Sequence, residues 1–332
     1  MTILVTGGAG YIGSHMVHDL ADAGESVVVL DNLSTGFRFL IPSSVPFVAG
    51  STGDRALVSD VIAQHRINAI IHFAASIVVP ESVVDPLSYY SNNTLNTCAL
   101  LDVAIKSGIQ HFIFSSTAAV YGNTGNAPVR EDAPTAPVSP YGNSKLMSEI
   151  MLHDAGKAHG LRFVVLRYFN VAGADPKLRT GQATPAATHL IKVACETAVG
   201  KRPKMDLFGT DYPTADGTCV RDYIHVSDLT QAHSAALAYL RSGGGSATFN
   251  CGYGRGASVL EVIAAVKRVS GRDFRVDISG RRAGDAPALV ANVDRINATL
   301  PWRPRYQNLD TIVAHALAWE KQLASRRKTS VA

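Results

Sequence analysis

The sequence predicts an α/β protein built on a doubly wound parallel sheet, with a smaller mixed α/β domain after it. Short β-branched runs alternate with segments of helical periodicity from residue 2 to residue 167, which is the pattern of stacked βαβ units. A glycine-rich turn directly follows the first of these runs. The alternation stops near Gly173, where Asp175-Pro176 opens a polar stretch. We therefore expect two domains, residues 1–173 and 174–332.

Six strands are expected in the first domain, each apolar enough to be buried on both faces. They are Thr2–Thr6, Ser26–Leu30, Pro46–Ala49, Ala69–Phe73, His111–Ser115 and Arg162–Arg167. Helices fill the intervals between them. Further along, Tyr223–Val226 predicts a short strand and Val226–Leu240 a helix that can rejoin the first sheet. The segment near 222–241 is therefore expected to return to the N-terminal domain.

Composition limits the classes of protein to be considered. The chain has 332 residues, 46% of them hydrophobic, which is enough for about two buried cores. Its 31 Lys and Arg against 27 Asp and Glu leave a net charge of +4, too small and scattered for a nucleic-acid binder. No apolar run approaches the roughly 18 residues that span a bilayer. The four cysteines lack metal-binding or disulfide spacing. We expect a cytoplasmic protein with reduced thiols, bound to neither membrane nor metal.

The glycine-rich turn predicts a dinucleotide site of the Rossmann type. Gly7, Gly10 and Gly13 lie between the first strand and a helix that starts at Tyr11. Such glycines allow a tight turn, close approach of a pyrophosphate and close helix–strand packing, and the helix N-terminus supplies N–H groups. Asp31 ends the second strand, 18 residues after Gly13. A carboxylate there accepts from ribose hydroxyls and repels a 2′-phosphate, so the expected cofactor is NAD rather than NADP.

Two further segments are expected at the same edge of the sheet. Phe73-Ala74-Ala75 follows the fourth strand, and Ser115-Ser116-Thr117 follows the fifth. Open α/β sheets bind ligands at the carboxyl ends of their strands. Small residues at these two places leave room for a cofactor.

Tyr141 and Lys145 are candidate catalytic residues. They are four residues apart in P-Y-G-N-S-K, so a helix that begins at Pro140 places both on one face. An ammonium beside a phenol favours the phenolate and brings the phenol pKa down from about 10, which produces a general base. Thr117 lies 24 residues earlier and is the third member of the expected group.

Several longer strings carry a family resemblance. The cofactor half contains T-G-G-A-G-Y-I-G-S-H at 6–15, L-D-N-L-S-T-G at 30–36, H-F-A-A at 72–75 and F-S-S-T-A-A-V-Y-G at 114–122. The rest contains S-P-Y-G-N-S-K-L at 139–146, L-R-Y-F-N-V-A-G-A at 166–174, F-G-T-D-Y-P-T-A-D-G-T-C-V-R-D-Y-I-H-V at 208–226 and R-R-A-G-D at 281–285. The chain resembles the extended short-chain dehydrogenase/reductase family, and within it the UDP-hexose 4-epimerases.

The resemblance implies an isomerase that interconverts UDP-galactose and UDP-glucose with tightly held NAD. Hydride leaves sugar C4, the 4-keto sugar turns over, and hydride returns to the other face. Tyr141 is then the base, and Lys145 lowers its pKa and holds the cofactor ribose. Thr117 stands where the family usually has serine, with Ser116 as an alternative donor. The resemblance also implies a homodimer.

The site residues implied by the resemblance extend the groups found above. The expected cofactor contacts are Gly7, Gly10, Tyr11, Ile12, Gly13, Asp31, Asn32, Ser34, Thr35, Gly36, Ser51, Thr52, Phe73, Ala74, Ala75, Asn92, Ser115, Tyr141, Lys145 and Tyr168. The expected UDP-sugar contacts are Thr117, Tyr141, Asn170, His189, Leu190, Phe208, Arg221, Arg282, Asp285 and Leu289. Two arginines among them can clamp a diphosphate, and Asp285 can accept a ribose hydroxyl.

Besides Thr117, the chain departs from the family pattern at four places. Ser51-Thr52 replaces an Asp followed by an aliphatic residue near the adenine, and Ile77 replaces a lysine near the cofactor. His189 stands where an asparagine commonly contacts the diphosphate. Leu289 occupies the position that gates bulky 2-acetamido sugars, and leucine is smaller than the tyrosine that restricts the pocket.

Alternative functions remain open at this point. A UDP-N-acetylhexosamine or UDP-pentose 4-epimerase would use the same chemistry and most of the same residues. A catalytically silent NAD-binding sensor is an alternative of another class, since one fold hosts many functions. A dehydratase is disfavoured, because Ala118-Ala119 follow Thr117 where that activity needs a titratable pair.

Overall fold

The computed structural model describes residues 1–125, 127–185, 187–282 and 284–329. The strands in chain order are β1 (Thr2–Thr6), β2 (Ser26–Asp31), β3 (Phe47–Ala49), β4 (Ile67–His72), β5 (His111–Thr117), β6 (Arg162–Tyr168), β7 (Asn170–Ala172), β8 (Met205–Phe208), β9 (Val220–Arg221), β10 (Tyr223–His225), β11 (Ala247–Cys251), β12 (Ala257–Ser258), β13 (Val276–Ser279) and β14 (Ala288–Leu289).

The α-helices in chain order are α1 (Tyr11–Asp22), α2 (Arg55–His65), α3 (Val79–Val84), α4 (Pro86–Tyr89), α5 (Asn96–Lys106), α6 (Pro140–His159), α7 (Leu190–Ala198), α8 (Val226–Arg241), α9 (Val259–Ser270), α10 (Asp294–Thr299) and α11 (Leu309–Thr329). A π-helical segment, Tyr90–Leu95, joins α4 to α5, and short 3-10 turns cover Arg38–Leu40 and Ala118–Val120. None of the described helices is long and apolar enough to cross a bilayer.

Seven parallel strands form the central sheet, in the order β11-β6-β5-β4-β1-β2-β3. The predicted fold class, a doubly wound parallel sheet, is therefore confirmed. All six predicted strands belong to this sheet. Strand β5 is longer than predicted, because it pairs with β6 as far as Thr117 opposite Tyr168. Ser116 and Thr117 are thus strand residues rather than residues of the following loop.

The seventh strand, β11, was not among the predicted strands. It pairs in parallel with β6 and occupies the edge of the sheet. Strand β10 lies elsewhere, since it pairs with β7 in a separate two-stranded sheet. Strand β10 is therefore not part of the large sheet, whose edge beside β6 is occupied by β11. The following helix α8 packs on α1 and on strands β5 and β6.

Apolar layers cover both faces of the sheet. Alternate residues of each strand point to opposite faces. In β1, Ile3 and Val5 pack with helices α1 and α8, whereas Leu4 packs with helices α2, α5 and α6. A third apolar cluster joins α7, α9 and α11 in the second half of the chain. Because the strands of the large sheet are parallel, their carboxyl ends lie at one edge of it, and the second half of the chain lies beside this edge.

Candidate active site

A cavity of about 360 Å³ lies along the carboxyl edge of the central sheet. It extends from the glycine turn after β1, past the ends of β4 and β5, to β14 in the second half of the chain. Most of the predicted site residues line it. They are Gly7, Gly10, Tyr11, Ile12, Gly13, Asp31, Asn32, Ser34, Thr35, Ser51, Thr52, Phe73, Ala74, Ala75, Asn92, Thr117, Tyr141, Tyr168, Asn170, His189 and Leu289.

The turn after β1 requires glycine at two positions. Gly7 has φ +70°, and a Cβ there would lie 2.5 Å from the Ala74 backbone nitrogen. A Cβ at Gly13 would lie 2.1 Å from the Gly7 carbonyl oxygen. Gly10, which caps α1, lines the cavity, and α1 has no side-chain cap. The first-turn amides of α1 are therefore left for a bound group, as in a phosphate site.

Asp31 lines the end of the cavity that is expected to hold the adenosine, and it bonds to two backbone amides there. Its carboxylate accepts from the Ala9 amide at 2.9 Å and from the Leu33 amide at 2.7 Å. A carboxylate has about four lone-pair sites, so it can still accept from two ribose hydroxyls. Among the described residues that line the cavity, none is Lys or Arg. This end of the cavity fits a free ribose diol better than a 2′-phosphate.

The wall opposite the glycine turn contains an irregular helical segment. Asn92 lies on the π-helical turn Tyr90–Leu95, and its amide donates to the Ser76 hydroxyl at 3.0 Å. Such turns are frequent at functional sites. Ser51 and Thr52 also line the cavity, and the Ser51 hydroxyl accepts from the Gly53 amide at 3.1 Å.

Helix α6 presents the candidate base. Its N-cap Ser139 accepts from the Gly142 amide, and Pro140 occupies the first helical turn, so the helix begins where predicted. Tyr141 is 6% exposed and lines the cavity. Lys145, one turn further on, is 2% exposed, and its Nζ donates to the Ser115 carbonyl at 2.9 Å.

Burial dominates the protonation of this pair. It raises the pKa of Tyr141 to about 12, partly offset by the hydrogen bond to Thr117. It lowers the pKa of Lys145 to about 7, and the Glu149 carboxylate acts in the opposite direction. The expected drop in the Tyr141 pKa is therefore absent from this structure. The Lys145 Nζ donates to the Ser115 carbonyl, and burial of the phenol sets the direction of the Tyr141 pKa.

Thr117 supplies the hydroxyl at the end of β5. It lines the cavity, and its Oγ1 accepts from the Ala119 amide at 3.1 Å. Ser116 points to the other side of the strand, is fully buried, and donates to the Glu149 carboxylate. The expectation that Ser116 is an alternative donor is wrong for this reason.

Three predicted cofactor contacts lie behind the cavity wall. They are Lys145, Ser115 and Gly36. Ser115 is fully buried, and its hydroxyl contacts Nε2 of His233 at 2.8 Å. Gly36 packs on the glycine turn, where a Cβ would lie 2.8 Å from Ala9. These residues support the lining rather than form it.

The far end of the cavity contains a histidine held by a glutamine. His189 precedes α7, and the Gln182 side-chain amide donates to its Nδ1 at 2.9 Å. Burial lowers the pKa of His189, which favours the neutral ring. Because the amide nitrogen of Gln182 donates to Nδ1, the neutral ring has its proton on Nε2. The Gln182 backbone carbonyl accepts from Lys192 Nζ at 3.0 Å and from the Trp319 indole nitrogen at 3.1 Å.

The other predicted UDP-sugar residues form a neighbouring group outside the cavity lining. The Arg282 guanidinium lies 3.8 Å from the centroid of the Phe208 ring. Arg221 pairs with Asp285 at 3.5 Å. Leu190 lines a small adjacent cavity together with His189. Arg221, Asp285, Arg282 and Phe208 thus form one group, which adjoins the cavity where Arg221 lies opposite the lining residue Leu289.

Sequence reasoning missed several lining residues. They are Leu30, Gly50, Val79, Ala118, Ala119, Phe169, Val171, Gln182 and Thr184. Most follow directly after a strand or lie beside a predicted residue, so the positions of the strand ends give a signal for them. Gln182 belongs to no motif, and the sequence contains no signal that would find it.

The profile of the NAD dependent epimerase/dehydratase family matches residues 3–252 of the chain. The chain belongs to this family, and the predicted resemblance is confirmed. A curated relative, the UDP-glucose 4-epimerase of Azospirillum brasilense, is 60% identical over 321 residues, which cover 97% of this chain and 92% of the relative.

Two solved structures extend the comparison. UDP-glucose 4-epimerase from Brucella ovis in complex with NAD is 43% identical, with a TM-score of 0.93, covering 96% of this chain and 97% of that chain. The UDP-Glc/GlcNAc 4-epimerase from Campylobacter jejuni is 48% identical, with a TM-score of 0.85, covering 97% and 99%.

Proposed function

We propose that the chain is a UDP-glucose 4-epimerase, which interconverts UDP-galactose and UDP-glucose with NAD held in the cavity. The observation that carries this proposal is the continuity of the cavity. The dinucleotide features at Gly10 and Asp31 and the proton-transfer groups Tyr141 and Thr117 line the same space. The similarity to curated UDP-glucose 4-epimerases over nearly the whole chain supports the same substrate.

The residues of the cavity fit NAD. The uncapped start of α1 suits the pyrophosphate and Asp31 suits the adenosine ribose. Asn92 and Tyr168 line the same cavity and would contact the nicotinamide half, with Lys145 behind them. When bound, NAD supplies the acceptor and donor of the C4 hydride. The protein itself supplies binding, orientation and proton transfer.

Proton transfer is assigned to Tyr141 and Thr117. In the forward step the phenolate of Tyr141 takes the proton of the sugar 4-hydroxyl, directly or through the Thr117 hydroxyl. Because burial favours the neutral phenol, the phenolate needs support from Lys145 and the Thr117 hydrogen bond. In the return step Tyr141 gives the proton back to the same oxygen of the 4-keto sugar, so one residue serves both directions.

Binding of the UDP portion is assigned to the group at the edge of the cavity. Arg221 and Arg282 can each make bidentate hydrogen bonds to phosphate oxygens, and Asp285 can accept from the uridine ribose. The protonated Nε2 of His189 can donate to the diphosphate from inside the cavity. Arg221 contacts Asp285 through one Nη and Arg282 stacks on Phe208, so guanidinium N–H groups are left for phosphate oxygens.

Proton NMR of the purified protein with UDP-galactose and no added nucleotide tests this function. The anomeric signals should change toward UDP-glucose until their ratio is constant, which requires both epimerisation and a co-purified cofactor. Absence of turnover even after addition of NAD⁺ would contradict the proposal and favour a silent NAD-binding protein.

A UDP-N-acetylhexosamine 4-epimerase is the second candidate. The observation in its favour is Leu289, which lines the cavity and leaves more room than a tyrosine would. The similar protein from Campylobacter jejuni is named for both UDP-Glc and UDP-GlcNAc. The same NMR assay with UDP-N-acetylgalactosamine decides whether this substrate class is also turned over.

We also propose that two copies of the chain pair through the helices around α6. Exposed apolar side chains lie on α3, α4, the π-helical segment and α6. They are Val83, Val84, Leu87, Leu95, Met147 and Ile150. Exposed apolar patches of this kind commonly mark interfaces. Light scattering should give the mass of a dimer, and Leu95→Glu with Ile150→Glu should give that of a monomer. A wild-type monomer would contradict the proposal.

A cytoplasmic location is proposed from the thiols. Cys98, Cys195, Cys219 and Cys251 are all unpaired, and three of them are buried. Free thiols are typical of a reducing compartment. Cell fractionation with an antibody against the chain tests this location, and recovery outside the cytoplasmic fraction would contradict it.

A further inference from the structure

Three consecutive residues of β5 contact three residues of α6 that are spaced four apart. The Ser115 carbonyl accepts from Lys145, the Ser116 hydroxyl donates to Glu149, and the Thr117 hydroxyl interacts with Tyr141. Residues 141, 145 and 149 lie on one helical face, since four residues make about one turn. Glu149 is therefore part of the same helix–strand contact as the two candidate catalytic residues.

The Glu149 carboxylate is held in one orientation. It is 2% exposed and accepts from Arg167, with Nε 3.1 Å from each carboxylate oxygen and Nη2 2.6 Å from Oε2. Arg167 lies opposite Ser116 in the register of β5 and β6, and its Nη1 donates to the Tyr121 hydroxyl at 3.0 Å. Strands β5 and β6 and helix α6 thus fix the carboxylate together.

Lys145 is in a site that disfavours its charge. It is 2% exposed, its one described hydrogen bond is to the Ser115 carbonyl, and its Nζ lies 4.9 Å from the Phe114 ring centroid. No described ion pair includes Lys145. A buried ammonium without an ion-pair contact loses its proton easily, because desolvation disfavours the charged form.

The groups that face Lys145 from other elements are mostly neutral. Burial lowers the pKa of His72 on β4 to about 3 and raises the pKa of the tyrosines on α4, α6, β6 and the turn after β5. Glu81 on α3 is exposed and accepts from the Tyr89 hydroxyl. The charged groups on this side in the described chain are Glu149, Arg167 and, beyond Arg167, Glu131. Of these, Glu149 shares the helix face with Lys145.

We propose that Glu149 is a positioning residue of the reaction, which keeps Lys145 in its ammonium form from one helical turn away. The inference rests on the proposed function, because the ammonium matters only if Tyr141 works as a phenolate. Ser116 and Arg167 hold the carboxylate in place for this role. The charged form of the buried Lys145 is thus stabilised by a second buried residue, Glu149, which does not line the cavity.

Glu149→Gln is the test, because glutamine keeps the size and the acceptor oxygen but removes the charge. We expect the alkaline limb of the kcat profile for UDP-galactose to move to lower pH by about one unit. A direct readout is the titration of Lys145 by NMR of protein labelled with ¹³Cε-lysine, its signal identified by its loss in Lys145→Met. The midpoint should move in the same direction.

Two further variants separate the electrostatic role from a structural one. Glu131→Gln is the matched control, since Glu131 is another buried carboxylate near Arg167, and it accepts from the Asn250 amide. It should leave both the kcat profile and the Lys145 midpoint unchanged. Glu149→Gln with Arg167→Gln avoids an unpaired buried arginine, and its Lys145 midpoint should still lie below that of the wild type.

The outcomes distinguish this inference from the proposed function. A folded Glu149→Gln protein with an unchanged Lys145 midpoint would overturn the role of Glu149. A double variant whose midpoint equals that of the wild type would also overturn it, because the unpaired arginine would then be the cause of the single-variant shift. Failure of the wild type to convert UDP-galactose would instead contradict the function, and the NMR titration would still decide the role of Glu149.

Discussion

Leu289 and Arg221 are paired across neighbouring strands. Strands β14 and β9 run in parallel with Leu289 opposite Arg221, and Leu289 lines the cavity while Arg221 lies at its edge. The residue expected to set the size of the sugar pocket is therefore fixed directly beside the residue expected to bind the diphosphate. Because both residues lie in paired strands, a change of side-chain size at Leu289 acts directly beside Arg221.

Leu289→Tyr should narrow the sugar end of the cavity. We expect kcat/KM for a UDP-N-acetylhexosamine to fall about tenfold or more relative to UDP-galactose, since steric exclusion of one group is worth a few kcal/mol. Leu289→Met, which keeps the volume, is the control and should leave the ratio nearly unchanged. Equal effects of the tyrosine variant on both substrates would argue against a gate at this position.

Tyr141→Phe should remove the base without disturbing the cofactor. We expect kcat to fall by about 10²–10⁴, with the amount of co-purified NAD unchanged when it is released and quantified by chromatography. Tyr89→Phe is the neighbouring control, because the Tyr89 ring packs edge-on against Tyr141 at 6.4 Å but bonds to Val78 and Glu81. Turnover within a few-fold of wild type in Tyr141→Phe would refute the assignment.

Thr117 should act through its hydroxyl rather than its methyl group. Thr117→Ser keeps the hydroxyl, and we expect its kcat to stay within about threefold of wild type. Thr117→Val keeps the shape but loses the hydrogen bond to Tyr141, so kcat should fall about ten- to a hundredfold, the range for a bond to a charged partner. Steady-state kinetics of the two variants give the comparison. Similar rates for the serine and valine forms would remove Thr117 from the proton transfer.

Asp31 should determine the choice between NAD and NADP. Asp31→Asn keeps one acceptor oxygen for the Ala9 or Leu33 amide but loses the charge that repels a 2′-phosphate. Calorimetric titration of cofactor-free protein should show weaker NAD binding and a preference for NAD over NADP reduced about tenfold or more. An unchanged ratio of the two affinities would show that Asp31 does not discriminate between them.

How far the sequence predicts this molecule depends on the kind of signal each element carries. Strands β1 to β6 were found because buried parallel strands are apolar runs between helical segments. Strand β11 was missed because it contains the buried Asn250, whose side chain bonds to the Tyr121 hydroxyl and the Val129 carbonyl. A buried polar residue with partners far along the chain is not visible in local hydropathy.

The site residues also differ in whether a local sequence signal marks them. The glycine turn follows from its place between a strand and a helix, and Tyr141 and Lys145 follow from helical spacing combined with that turn and Thr117. Gln182 and the role proposed for Glu149 depend on contacts to residues far along the chain, or across a strand end. The burial that raises the pKa of Tyr141 depends on the complete fold, whereas the spacing of Lys145 is a local property.

The buried histidine His72 should make stability fall in mild acid. Both ring nitrogens contact threonine hydroxyls, Thr6 at 2.6 Å and Thr97 at 2.9 Å, and burial lowers the pKa to about 3. The unfolded chain, with a pKa near 6.5, binds a proton that the folded protein excludes. The contribution is thus present above pH 6.5 and is lost as the pH falls toward the folded pKa, by about 2 kcal/mol from pH 7 to pH 5.

Urea unfolding at pH 7, 6 and 5 measures this effect. His72→Gln should be less stable at pH 7 but should lose about 2 kcal/mol less than wild type between pH 7 and pH 5. His159→Gln, an exposed position at the end of α6, is the control and should keep the wild-type dependence. Other buried histidines, such as His233 with a pKa lowered to about 4, keep part of the slope in both proteins. Parallel pH dependences for wild type and His72→Gln would mean that His72 is protonated equally in the folded and unfolded states.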